Sequence, residues 1–159
     1  MKEKPTISEK ISQGISRFLQ KRHLKHAVDE DGDFPLIFAF DHLPGRAHIV
    51  LMRQGTLGEL LTVMIRFEEI PPLPNEAEAL QIANNWNAQR RWPRIYWQNN
   101  HFFGDFHLDL EPGFSQRLLE QTLHHLFMGT AQFLLHITHQ EKDFLEEIKK
   151  QLPGFFSLN

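Results

Sequence analysis

The spacing of hydrophobic and polar residues along this chain changes several times, and each change marks an element. Ile7, Ile11, Ile15, Phe18 and Leu19 recur at helical intervals behind Thr6-Ile7-Ser8-Glu9, a capping-box pattern, so a first amphipathic helix is predicted from Thr6 to about His26. Gly14 inside it costs roughly 1 kcal/mol relative to Ala, which packing has to offset. Asp29-Glu30-Asp31-Gly32-Asp33 then reads as a solvated turn, since the closing Glu of an EF-hand loop is missing. Phe34, Leu36, Phe38 and Phe40 alternate with other residues, the period-two signal of a strand buried on one face. Pro44-Gly45 separates it from a second strand, Arg46 to Arg53. After the break at Gln54–Gly58, a third strand alternates Leu61, Val63, Ile65 and Phe67. Connections this short favour antiparallel neighbours, because parallel ones need long crossovers.

Pro71-Pro72-Leu73-Pro74 is a stiff connector into a second helix, predicted from Asn75 to about Arg91 with Ala79, Ile82, Ala83, Trp86 and Ala88 inward. Pro93 disfavours a helical Trp92 and so sets the helix end. A hairpin follows, Arg94–Gln98 and Phe102–Leu110, around Asn99-Asn100, residues that tolerate the left-handed backbone of tight turns. Ser115 can cap a long third helix whose apolar stripe runs from Phe114 and Leu118 to Ile137. Asp143–Gln151 extends it or forms a short fourth helix, and Pro153-Gly154 precedes an apolar tail, Phe155–Leu158. The sum is an α+β fold in the order helix, three strands, helix, two strands, helix, with one antiparallel sheet and helices covering a face. At 159 residues a single domain is expected, with a short C-terminal extension from about 141.

Composition narrows function mainly by exclusion. The absence of cysteine removes disulfides, thiolate metal sites and cysteine nucleophiles, and fits a reducing compartment. The N-terminus lacks the apolar run of a secretory leader and no segment reaches membrane-spanning length, so a soluble cytoplasmic protein is expected, without membrane contact. A net charge of −3 argues against a dedicated nucleic-acid binder. No phosphate-binding glycine loop, nucleophile elbow or HExxH is present, so no catalytic residues and no cofactor are assigned.

The most distinctive stretch is Asn84 to Arg94, which holds Asn84, Trp86, Asn87, Arg91, Trp92 and Arg94. An aromatic flanked by amides and arginines can hold a partner's backbone or carboxylates. The competing reading is structural: Trp86 fills a seam between helix and sheet while the asparagines bond to free carbonyls at the helix end. Arg90, Arg91 and Arg94 beside Trp92, Tyr96 and Trp97 also suit bases and phosphates, although arginine at a helix C-terminus is favourable through the helix dipole alone. Ten histidines raise a small-ligand or metal sensor as an alternative, through His124-His125, His136-x-x-His139 or Asp105-x-His107-x-Asp109. Alternating polar residues on a wet strand face need no metal, and no metal ligands are assigned.

Asn84-x-Trp86-Asn87, then Arg91-Trp92-Pro93-Arg94 leading into an aromatic strand, then Leu108-Asp109-Leu110 with Gly113 before the last helix, resembles the YbjN-like family of bacterial sensory transduction regulators. The resemblance spans about Ile7 to His136 and departs at the Gln98–His101 turn, where an acidic residue and a glycine are expected. It implies a five-stranded antiparallel sheet flanked by helices, like that of type III secretion chaperones. It also implies a homodimer without catalytic residues or cofactor, acting as a non-enzymatic protein-interaction domain toward an unknown protein partner.

Overall fold

The computed structural model describes residues 4–41, 44–73 and 75–138. The expectations for Asp143–Gln151, the Phe155–Leu158 tail and the His136/His139 pair fall wholly or partly outside those residues. Helix α1 (Ile7–Lys21) is followed by strands β1 (Phe34–Ala39), β2 (Arg46–Gln54) and β3 (Leu60–Glu68). Helix α2 (Glu76–Gln89), strands β4 (Arg94–Gln98) and β5 (His101–Asp109), and helix α3 (Gln116–Thr138) complete the chain order. The α+β order and the five-stranded antiparallel sheet agree with expectation.

The sheet order is β1-β2-β3-β5-β4, so the hairpin made by the last two strands docks through its second member and leaves β4 at an edge. Register places Leu36, Ile49, Ile65, Gly104 and Ile95 side by side across all five strands. Four buried branched side chains thus line the core face, with a glycine between the last two. A Cβ on Gly104 would lie 3.2 Å from Ile95 and 3.3 Å from Ile65, so the gap is filled by its neighbours. The opposite face presents Ile37, His48, Arg66, Phe103 and Tyr96 in the adjoining row. Ile37 there is 65% exposed.

Helix α3 spans the core face. Phe133 is fully buried and meets Phe67 of β3, Phe102 of β5 and Trp86 of α2, all edge-on, with ring centroids 4.8, 5.2 and 5.1 Å away. Edge-to-face geometry sets the positive ring edge against a negative face. Two turns earlier Phe127 meets Phe18 of α1 at 5.7 Å. Gly14 shows what offsets its poor helix propensity: a Cβ there would sit 2.6 Å from Leu119, so its absence lets α1 and α3 approach closely.

Element ends follow local chemistry. Thr6 and Glu9 form the expected reciprocal capping box, and Asn75 caps α2 by accepting from the Glu78 amide at 2.9 Å. Helix α1 stops at Lys21, about five residues before the expected end. His23 adopts φ 55° there, and the amides of His23 and Leu24 donate to Gln20 and Leu19 carbonyls, a Schellman ending that apolar periodicity does not announce. Ala88 and Leu118, expected to face inward, are exposed, Leu118 at 43%. At Asn99 and Asn100 both φ values are positive, 49° and 59°, as a two-residue hairpin turn requires.

Phe133 joins two strands and two helices, so Phe133→Ala should destabilise the chain by about 3–5 kcal/mol. Urea unfolding measures this, and a loss below about 1 kcal/mol would show that the four-ring cluster is not the packing centre.

Candidate functional site

The link between α2 and β4 brings the distinctive sequence stretch into three dimensions. An edge strand leaves every second residue's backbone N–H and C=O unpaired. On β4 those groups at Ile95 are both taken by one side chain. The Ile95 amide donates to Asn87 Oδ1 at 2.9 Å, and Asn87 Nδ2 donates to the Ile95 carbonyl at 2.7 Å. A carboxamide has the donor–acceptor pair of a peptide group, so Asn87 stands in for one residue of a sixth strand. One residue earlier in the helix, Trp86 Nε1 donates to the Pro93 carbonyl at 3.0 Å while its ring, 5% exposed, packs on Phe133. The Trp92–Pro93 peptide is cis.

Helix α3 approaches this link closely because Gly129 faces it. A Cβ at Gly129 would lie 2.6 Å from the Trp92 carbonyl oxygen, a backbone atom that cannot swing aside. Trp92 then rests edge-on against Phe106 at 5.0 Å and near His125 at 6.0 Å. Gly129 was not singled out from the sequence, although a glycine inside a strongly helical stretch is itself a sign of close packing.

The six residues of the signature are thereby divided among different surfaces. Trp86 and Asn87 face the β4 edge and core. The asparagine bonds go to strand backbone and not to carbonyls at the helix end. Asn84 is exposed on the flank of α2 beside β4, near Leu80 and Trp97. Arg94 lies on the open sheet face, where Nε and Nη2 donate to Asp105 at 3.0 and 2.7 Å across the β4–β5 pair. Asp105 raises the Arg94 pKa through that bond and its charge. Arg91 and Trp92 turn toward α3 and line a cleft there. Trp97 packs on Phe102 at 4.8 Å, on the core side, whereas Tyr96 stacks on Phe103 across the open face. The arginine–aromatic group therefore does not make one continuous surface.

The histidine and aspartate sets are dispersed in the same way. Asp105 is held by Arg94, His107 Nδ1 shares a 3.0 Å hydrogen bond with Thr62 Oγ1, and Asp109 accepts from the Glu111 amide at 2.8 Å. Among the described residues no three His, Cys, Asp or Glu side chains converge as a metal site would require. His125 is exposed, whereas His124 is 9% exposed. Burial first, then the charges of Arg22 and His125, lower the His124 pKa to about 4.

The profile of the YbjN family, described as "Putative bacterial sensory transduction regulator", matches residues 12–138. The fold is similar to the crystal structure of YbjN from E. coli, described as "a putative transcription regulator", with a TM-score of 0.55. That match covers 79% of this chain and 89% of the other at 9% identity, so it speaks to fold alone. No curated protein matches the sequence. Among the described residues no helix is long and apolar enough to cross a membrane.

Asn87→Ala would strand two backbone groups, and a loss of about 1–3 kcal/mol is expected in chemical denaturation. Asn87→Asp should be no better than Ala, because it retains the acceptor for Ile95 N–H but sets a carboxylate against the Ile95 carbonyl. An aspartate variant as stable as the native chain would contradict the paired geometry. A second test uses His124. Its folded-state pKa of about 4 lies below the ordinary 6.5, so the unfolded chain binds the extra proton first. Stability should fall as pH drops through that window, and less so in His124→Asn. Equal slopes for the two proteins from pH 6.5 to 4 would remove His124 as the cause.

Proposed function

This chain belongs to the YbjN family, and on that footing we propose that it is a non-enzymatic protein-interaction domain. It works as a homodimer in the bacterial cytoplasm, as a regulator or chaperone-like adaptor for another protein. The family is described as one of regulators, which agrees with a role in binding.

The observation that carries this reading is the open face of the sheet. Ile37 projects from it at 65% exposure, and Val50, Met64, Phe103 and Tyr96 are half-buried beside it. Charges of both signs frame these apolar side chains. The Glu68 carboxylate lies 3.5, 2.8 and 3.2 Å from the Arg46, His48 and Arg66 side chains, and the Arg94–Asp105 pair lies on the same face. An interface related by a twofold axis sets one patch against its own copy, so a patch with an apolar centre and both charges can complement itself. That arrangement supports a second copy of this chain as the occupant of the sheet face.

Sedimentation at micromolar concentration should give the mass of two chains. Ile37→Asp should weaken association at least about tenfold, equivalent to roughly 1.4 kcal/mol, with little change in melting temperature because the position is exposed. A monomeric native chain, or a variant that dimerises undiminished, would remove the open face from the function.

A further inference from the structure

Two clefts flank the Arg90–Pro93 link, and both are lined by Arg90 and Gln132, so they adjoin as a groove along α3. The groove extends from Leu118 to His136. Eighteen helical steps correspond to about 27 Å, which suits a length of polypeptide better than a small molecule. Among the described residues its ionisable lining consists of Arg90, Arg91, His125 and His136, without a carboxylate. Arg90 and Arg91 thus put two fixed positive charges side by side in a chain whose net charge is −3.

The arginines here differ from those on the open face of the sheet. Arg46, Arg66 and Arg94 each face a carboxylate within 3.5 Å. Among the described residues, no ion pair holds Arg90 or Arg91, and both are exposed. Arg90 is instead poised with its guanidinium 5.7 Å from the Trp86 ring centroid. The same lining has apolar positions with free surface: Leu118 at 43% exposure, and Trp92 and Met128 half-buried. Methionine and tryptophan adapt well to a partner's side chains.

We propose that this groove binds an acidic amphipathic helix of a partner protein. Its apolar stripe would seat on Leu118, Trp92 and Met128, and its carboxylates would meet Arg90 and Arg91. A helix fits better than an extended strand because the groove walls are helix surface and a turn, with no open sheet edge to extend. Nucleic acid fits less well: two fixed positive charges make a short track, and the Trp92 ring is already engaged edge-on by Phe106. The inference rests on the interaction-domain reading and adds to it the site and the chemistry of the partner.

The probe is a fluorescein-labelled synthetic helix of about 18 residues, enough to span the groove, with Leu at i, i+3, i+4 and i+7 spacing and Glu elsewhere. Titration into the full chain should raise anisotropy to saturation. A scrambled peptide of the same composition, and the combined Arg90→Glu and Arg91→Glu variant, should each bind at least about tenfold more weakly. Leu118→Asp should weaken binding while leaving melting temperature unchanged. Equal binding of the scrambled peptide, insensitivity to the arginine reversals, or preference for a single-stranded oligonucleotide would overturn the proposal. So would an absence of binding. Sedimentation of the same samples separates the two readings: a dimeric chain that ignores the peptide loses the groove and keeps the sheet interface.

Discussion

An edge strand has to be closed, and in this fold one carboxamide does much of that work. Asn87 supplies both a donor and an acceptor to Ile95, and Trp86 supplies a donor to the carbonyl two residues before it. Because both residues belong to the last turns of α2, the bonds fix the angle at which the chain leaves the helix and enters β4. β4 in turn carries β5, and β5 is the strand that pairs with β3. The helix end therefore sets the position of a hairpin that contributes two of the five strands. Packing reinforces the hydrogen bonds: the ring that reaches Pro93 is the same one that meets Phe133 in the core.

The two glycines in the central packing act in the same cause. Gly104 makes room on the core face of β5 for Ile65 and Ile95, and Gly129 lets α3 press against the Trp92–Pro93 backbone. At Gly129 a single methyl group is too large, and at Gly104 it would require the Ile65 and Ile95 side chains to give way. Close packing has little slack for such additions. The link from α2 to β4 is thus fixed from the helix by side-chain hydrogen bonds and from α3 by steric fit.

Much of this architecture could be read from residue patterns, for local reasons. Thr6 with Glu9, Asn75 before α2, and Asn99-Asn100 in the hairpin each carry their structural meaning within a few residues. The alternation Leu61, Val63, Ile65, Phe67 likewise states which face is buried. Features that depend on distant partners were not legible. The end of α1 at His23 depends on a left-handed residue with no glycine to mark it. The exposure of Leu118 reflects where the groove opens. The division of Asn84–Arg94 among three surfaces follows from how α2 meets β4, which spacing alone does not encode. The resemblance to the YbjN family rests in part on Asn84-x-Trp86-Asn87, in which Trp86 and Asn87 have a backbone-binding job that restricts their chemistry.

That restriction can be examined directly at one atom. The Ile95 amide points away from β5, as alternation along a β4 edge requires, yet donates to Asn87. Amide hydrogen exchange read by NMR should therefore find Ile95 protected about as strongly as Tyr96, which faces the ladder. Its protection should collapse in Asn87→Ala while Tyr96 stays slow. An Ile95 amide that exchanges like an open edge in the native chain would show that the helix does not close the sheet.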